Sequence, residues 1–533
     1  MRNLPELLFM TMKHAFRERL YLVIILFVFI GLKFPHLYYP FYWDESWPYA
    51  SAMKQMYLHG PSLLPNALEG DISRGHPLFF HAAGAAWMKI FGSSNFAMHC
   101  FALFISVCVL ISLYEVGLRL YNKRVAIAAV IITAFQVIFF VQASFVLLEV
   151  LLGLLAFLSI YFYVRRKHFL TALFLSMLFY TKESGLVVGA VLGIDALVAF
   201  FNKKLSWEER LLKISSIGFP IILMAVFFLL QKHYKGWYFL PLYGELIERS
   251  WDMIYYKFGV ISKVLFFDDY RLFLYLFLAA LSVVAAVKKK KYKLLAFPFP
   301  VLTIILLNTG EVNEQAAHWL VFLMVVTSFV VAAYVLTGQS LYQSPEQLRF
   351  IRLCSWFVLS FWLFTSLNLF IVRYMLIALI PLFFVSAYYL ELVTTNSFRV
   401  LYFPAVLLIV GIEAYAFEKN TGHGDVDMGA FDAMKVQQEV VDWFERNNQY
   451  DKSIASGSYL QRTHLIDPYS GFLSKEKPFT AVTWEVSDST ELVIFDNIED
   501  DWRYEHMQKD SSFKLIYRIA MGDVWAEIYK REK

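Results

Sequence analysis

Cysteine is almost absent from this chain: three in 533 residues, Cys100, Cys108 and Cys354, each inside an apolar stretch and none at a metal-like spacing. That argues against a disulfide framework and leaves the three as packing residues. Charge is scarce as well, at 17% of residues, and the formal net charge of +4 is too small to name a partner. There is no basic arm and no aromatic-basic ladder, so nucleic acid is not an expected partner. No internal repeat is evident, which weighs against a transporter built from inverted halves. The N-terminal apolar run YLVIILFVFIGL (21–32) is followed by KFPHLYYPFYW rather than by a small-residue cleavage site, so it is expected to stay as a first span.

What the chain does have is apolar surface. Hydrophobic residues make up 59%, aromatics 18%, and the mean hydropathy is +0.52, far too apolar for a soluble multidomain protein. The sequence therefore predicts a mainly α, polytopic membrane protein. Segments suited to spanning fall near 20–38, 95–120, 125–142, 145–164, 169–181, 184–201, 212–231, 270–287, 294–308, 318–337, 351–367, 374–392 and 399–416, about thirteen in all. Residues 4–18 are expected to form an interfacial amphipathic helix before the first span. With the N-terminus in the cytoplasm, alternate loops read YNKR (121–124), RRKH (165–168), NKKLSWEER (202–210) and KKKKYK (288–293), as the positive-inside rule requires. The expected location is a bacterial inner (cytoplasmic) membrane, with the C-terminus periplasmic.

Composition turns polar from about residue 418. The stretch MKVQQEVVDWFERN places Val436, Val440 and Trp443 on one helical face, and the runs SIASGSY, ELVIFDN, FKLIYRI and VWAEIYK read as strands. The domains are accordingly 1–417, membrane-embedded with a first outer loop at about 40–94, and 418–533, a soluble periplasmic α/β domain. The latter has no Gly-rich phosphate loop, metal cluster or nucleophile motif, and is expected to support the membrane part or help bind an acceptor.

Ionisable residues at membrane depth cost roughly 2.5–3.5 kcal/mol on insertion scales, so each needs a reason. In FYWDESWPYASAM (41–53), Asp44 and Glu45 stand side by side at the membrane edge; a helix cap would also account for them in isolation. DISRGHPLFFH (71–81) brings Arg74, His76 and His81 to a short apolar stretch suited to lying along the membrane surface. Glu149 begins a span, YTKESGL (180–186) puts Lys182 and Glu183 between two apolar segments, and IVRYMLIALIPLFF (371–384) puts Arg373 and Tyr374 at the mouth of a late span. All are outward by the charge topology. Cations hold phosphate by charge-assisted hydrogen bonds, and a carboxylate can deprotonate an incoming hydroxyl. Together they suit a lipid-phosphate substrate with its head group in an outer cavity.

These elements, a DE pair after the first span, an HPL element, an acidic residue in the span after the third, a TKE turn and an RY…P late span, resemble the GT-C fold glycosyltransferases. The nearest branch is the protein O-mannosyltransferase and ArnT-like group, glycosyltransferase family 39. The resemblance covers residues 1 to about 416. It implies inverting transfer of a sugar from a polyprenyl-phosphate donor to a hydroxyl of a lipid, glycan or protein acceptor. It further implies Asp44 and Glu45 as the catalytic carboxylates, and Lys182, Arg373, Arg74 and Tyr374 as donor-phosphate ligands. Glu149, Glu183 and His76 would order the site or bind acceptor. The loop reads GHPLFF with one proline where many members have two. Some members use a divalent cation; Asp44, Glu149 and His76 are the candidates here, with no spacing that compels one. A transporter or flippase for a lipid-linked sugar, or a non-catalytic subunit, stays open as an alternative.

The charge pattern makes a direct prediction. A cysteine introduced in SDSTE (487–491) should react with an impermeant thiol reagent from outside, and one at Lys290 should not. The opposite labelling pattern would invert the topology.

Overall fold

The computed structural model describes residues 4–201, 205–290, 292–309, 315–337, 344–394, 396–475, 477–499 and 501–532. Of the basic loops, residues 202–204 and Lys291 lie outside the described residues.

Among the described residues, eight helices are long and apolar enough to cross a membrane, and four shorter apolar helices accompany them. Those twelve match twelve of the expected segments. The thirteenth, 125–142, is broken at Phe135–Gln136 into Lys123–Ala134 and Val137–Gln142, both buried. The N-terminal region differs from expectation: the amphipathic helix and first span are one helix, Leu4–Lys33, followed by the turn Phe34–Tyr38. No Gly or Pro interrupts the chain between Pro5 and Gly31, so nothing breaks the helix, and Pro35 then ends it. A helix at Trp251–Phe266 was not expected, because Asp252, Lys257 and Lys263 interrupt its apolar pattern. It buries Phe258, Ile261, Val264 and Leu265, and its Phe258 carbonyl accepts the Trp362 indole N–H at 3.0 Å.

Outer helices present apolar residues outwards, with Phe27, Phe169, Phe201 and Leu407 exposed, as a lipid-facing surface requires. Inner helices are apolar all round and buried all round. The innermost pair is Glu149–Val164 against Leu376–Thr394. A Cβ on Gly153 would stand 2.4 Å from Ile380 Cδ1, so glycine allows the close approach that brings Glu149, one turn earlier, to the head of the other helix. Helix Phe79–Phe91, with Phe80, His81, Ala85 and Met88 buried, is only about 20 Å long at 1.5 Å per residue, too short to span.

After the last span, Arg399–Lys419, the loop 420–429 leads into helix Ala430–Arg446. That helix buries Val436, Val440 and Phe444, while Trp443 lies at the margin and stacks on Tyr517. It covers a five-stranded sheet of β1 (Ile454–Ser456), β2 (Val482–Thr483), β3 (Leu492–Asp496), β4 (Phe513–Met521) and β5 (Val524–Arg531), ordered β2-β1-β3-β5-β4. β1 runs parallel to β2 and β3; β5 is antiparallel to β3 and β4. The four expected strands are present, and β2, two residues long, is additional.

Asp496 ends β3 with one oxygen, Oδ1, accepting the backbone N–H groups of Ile498 and Glu499 at 3.0 and 3.2 Å. The group is buried, and burial raises the carboxyl from 3.8 to about 7, helped by nearby Glu499. The folded state then binds a proton that the unfolded state releases between those values, so stability falls as pH rises from about 4 to 7 and is level above. Asp496→Asn keeps both backbone bonds and should remove this slope, with its largest gain in melting temperature at pH 8. Parallel melting-versus-pH curves for the two proteins would refute the assignment.

Candidate active site

The buried guanidinium of Arg373 is the centre of the site. It lies in the turn Val372–Met375 that opens helix Leu376–Thr394. Nη2 pairs with Asp44 Oδ2, Nη1 pairs with Asp425 Oδ2, and Nε stands 3.5 Å from Glu149 Oε1. Glu149 is the first residue of its helix, where backbone N–H groups and the helix dipole favour an anion, and it is buried. Three carboxylates from distant segments thus converge on one cation. Burial pushes the Asp425 carboxyl above the usual aspartate range, against the pull of Arg373.

Lys182 sits between helices His168–Thr181 and Leu186–Phe200, buried, with Nζ 3.7 Å from the centre of the Tyr374 ring. The same ring lies 5.6 Å from the Arg373 guanidinium carbon, so Tyr374 separates the two cations. Among the described residues Lys182 makes no hydrogen bond or ion pair. It opens, with Glu149, Tyr374, His76 and Glu183, into a cavity with about 1220 Å³ of empty space including its mouth. The rest of the wall is largely apolar, Leu246, Ile247, Phe361 and Phe364 among them. His76 Nδ1 bonds Glu183 Oε2 at 3.0 Å, tying the first outer loop to the TKE turn. A second cavity of about 770 Å³, lined by Phe266, Tyr275 and Tyr389, carries no charged group.

Two of the expected site residues are not brought into this cluster. Glu45 points away from Asp44 because successive side chains in the tight turn Trp43–Glu45 diverge by about 120° at three residues per turn. It is fully buried, accepting from Tyr42 N at 3.1 Å and Val146 N at 2.7 Å, and bonding His99 Nε2 at 2.9 Å. The arrangement fixes the turn. Arg74 is in the left-handed region, φ 52°, and its guanidinium lies 4.8 Å from the Trp47 ring, away from the cavity lining.

Asp425 was not expected. It belongs to the loop GHGDVD (422–427), where Asp427 accepts from Gly424 N at 3.1 Å and Asn420 Nδ2 at 3.0 Å. A Cβ on Gly422 would meet Asp427 Oδ2 at 2.6 Å, so this fold-back needs glycine there. The loop is seated by Tyr42 O–H on the His423 carbonyl at 2.6 Å and Gln142 on the Asp425 carbonyl at 2.5 Å. An acidic residue in a glycine-rich stretch just past the last span was a signal of the same kind as the DE pair after the first. Tyr49 was also missed; burial, with Glu149 and Tyr374 adding, holds its phenol well above the usual range, so it stays protonated beside the cluster.

Among the described residues no group of three or more His, Cys, Asp or Glu is arranged to hold a metal ion. Arg373 stands in the space that Asp44, Glu149 and Asp425 share, and His76 is turned to Glu183 instead.

No protein-family model and no curated protein matches this chain. Its fold does match solved structures. It is similar to the crystal structure of ArnT from Cupriavidus metallidurans bound to undecaprenyl phosphate, with a TM-score of 0.50 and 11% identity over 96% of this chain and 97% of that one. The apo structure of the same ArnT aligns at a TM-score of 0.47 and 11% identity, over 97% and 98%. The chain is a multi-helix membrane protein with the GT-C fold, carrying a small C-terminal sheet domain.

Removing Arg373 would leave three carboxylates facing one another. Arg373→Ala should therefore cost stability on the order of 3–5 kcal/mol, as for other broken buried ion pairs, and Glu149→Gln added to it should restore part. Detergent melting curves measure both; an Arg373→Ala protein as stable as wild type would show that the cluster does not hold the fold.

Proposed function

We propose that this protein is an inverting glycosyltransferase that moves a sugar from a polyprenyl-phosphate donor to an acceptor hydroxyl at the periplasmic face of the membrane. The observation that carries the proposal is Lys182: a buried cation that makes no salt bridge among the described residues and faces a largely apolar-walled cavity. A phosphate on a lipid tail satisfies both parts of that cavity, its anion on Lys182 and its chain on the apolar wall. The similar ArnT structure holds undecaprenyl phosphate, which supports a donor of that class.

Asp44 is held through Oδ2 by Arg373, is 36% exposed, and has no partner for Oδ1 among the described residues. In the proposed step the acceptor hydroxyl gives its proton to Oδ1 as its oxygen attacks the anomeric carbon from the face opposite the phosphate. The bond between that carbon and the phosphate oxygen breaks, and polyprenyl phosphate leaves as an anion held by Lys182. Tyr374 carries the Lys182 ammonium on its ring face, and Arg373 aims Asp44. Arg373 has its carboxylates already, so on this reading it positions the base rather than holding phosphate. Asp425, from the start of the 418–533 unit, belongs to the same machinery.

A flippase would need Lys182 but not a proton acceptor at Asp44. Asp44→Asn should lower single-turnover transfer from a radiolabelled polyprenyl-phosphate sugar by on the order of 10²–10⁴ while leaving donor binding near wild type. Lys182→Ala should weaken donor binding about tenfold or more. Wild-type transfer by Asp44→Asn would overturn the base assignment, and wild-type donor affinity in Lys182→Ala would overturn the phosphate site.

A further inference from the structure

Beside the Asp44 turn runs a ladder of aromatic rings and guanidinium groups that joins the first outer loop to the C-terminal domain. The Arg74 guanidinium lies 4.8 Å from the Trp47 ring, and Trp47 lies 6.4 Å from Tyr459. Arg462 reaches both Tyr459, at 5.9 Å, and Trp484, at 4.7 Å, and Arg503 lies 5.2 Å from Trp484. Trp47 is three residues from Asp44, and Arg74 is two residues from the cavity residue His76. The ladder therefore begins on the two segments of the first outer loop that carry Asp44 and His76 and leads from them to the C-terminal domain.

Its members are not all anchored in the same way. Arg503 is saturated: it pairs with Asp501 through Nε at 2.8 Å and Nη2 at 2.6 Å, and Nη1 donates to the Trp484 carbonyl at 2.5 Å. Those bonds hold Trp484 in place. Arg74 and Arg462 have no carboxylate partner among the described residues; Arg462 makes one bond, Nε to the Ser458 carbonyl at 3.3 Å, and its two terminal nitrogens make none. Tyr459 and Trp484 are 44% and 48% exposed. Exposed indole and phenol rings beside guanidinium forks that make no salt bridge among the described residues match one kind of ligand well. Sugar rings offer apolar faces to aromatics, and phosphate or carboxylate substituents accept the planar arginine fork in bidentate fashion.

We infer that the Trp47–Tyr459–Trp484 ladder, with Arg74 and Arg462, is the binding track for an anionic saccharide acceptor. The inference rests on the transferase proposal for the word acceptor, and on the ladder alone for the saccharide. An extended peptide is less suited, because the sheet edge next to Trp484 is β2, two residues long, too short to add a peptide strand.

The test is binding to the purified full-length protein in detergent, followed by tryptophan fluorescence, with four probes: phosphorylated mannopentaose, unphosphorylated mannopentaose, inorganic phosphate and hexaglutamate. Phosphorylated mannopentaose should bind, and the other three at least about tenfold more weakly. Arg462→Gln and Trp484→Ala should each reduce that affinity by about tenfold or more, with undecaprenyl-phosphate binding and melting temperature as in wild type. Trp484→Phe, which keeps a ring, should bind within a few-fold of wild type, and reads out the site should the alanine variant fold poorly. Equal binding of mannopentaose would remove the anionic requirement, tighter hexaglutamate would make the ladder a peptide surface, and wild-type affinity in both Arg462→Gln and Trp484→Ala would overturn the track. Donor binding is titrated separately: saccharide binding without it retains the track and removes the transferase proposal, and donor binding without saccharide binding does the reverse.

Discussion

A guanidinium buried near a membrane edge is stable only if its charge is met, and Arg373 is met from three directions. Asp44 comes from the turn after the first span, 329 residues away in sequence; Glu149 from the start of an inner helix; Asp425 from the loop after the last span, 52 residues away. Neither Glu149 nor Asp425 would be tolerated in so dry a position without the arginine, nor the arginine without its carboxylates. The cluster thus couples the first outer loop, the helix core and the approach to the C-terminal domain, and any one of them displaced would expose uncompensated charge. Gly153, which lets two core helices close, and Gly422, which lets the last loop fold back, serve that same convergence.

Lys182 has the opposite character. It shares the neighbourhood, and its ammonium rests on the Tyr374 ring, but the carboxylates that could neutralise it are engaged elsewhere, Glu149 towards Arg373 and Glu183 with His76. One cation is thereby held in salt bridges, and the other makes none among the described residues. The apolar wall of the cavity raises the electrostatic worth of that remaining charge, because it lowers the local dielectric.

The membrane-spanning pattern was readable residue by residue because a helix of about 20 apolar residues is a local requirement of the bilayer. Eight helices among the described residues meet that requirement by length and composition alone, and four shorter apolar helices lean on their neighbours. Helix Trp251–Phe266 was hidden because it buries one face only and spends its other face on charge. The candidate site residues Asp44, Glu149, Lys182 and Arg373 stood out for the same local reason: charge where the solvent penalises it. Asp425 was passed over because it lies in a polar stretch, where its place in a glycine-rich loop just past the last span is a weaker signal than charge beside an apolar run.

What the sequence determined alone is therefore the set of spans, their alternation of basic loops, and the short roster of ionisable residues that a bilayer would not tolerate idle. What the tertiary structure decided is the division of labour within that roster. Adjacent residues Asp44 and Glu45 look equivalent in the chain, but a turn with three residues per cycle sends one to Arg373 and the other into packing against His99 and Val146. Arg74, a cation like Lys182, ends on Trp47 instead of in the cavity. Those assignments depend on which distant segments meet, and contact between segments hundreds of residues apart leaves no mark on local pattern.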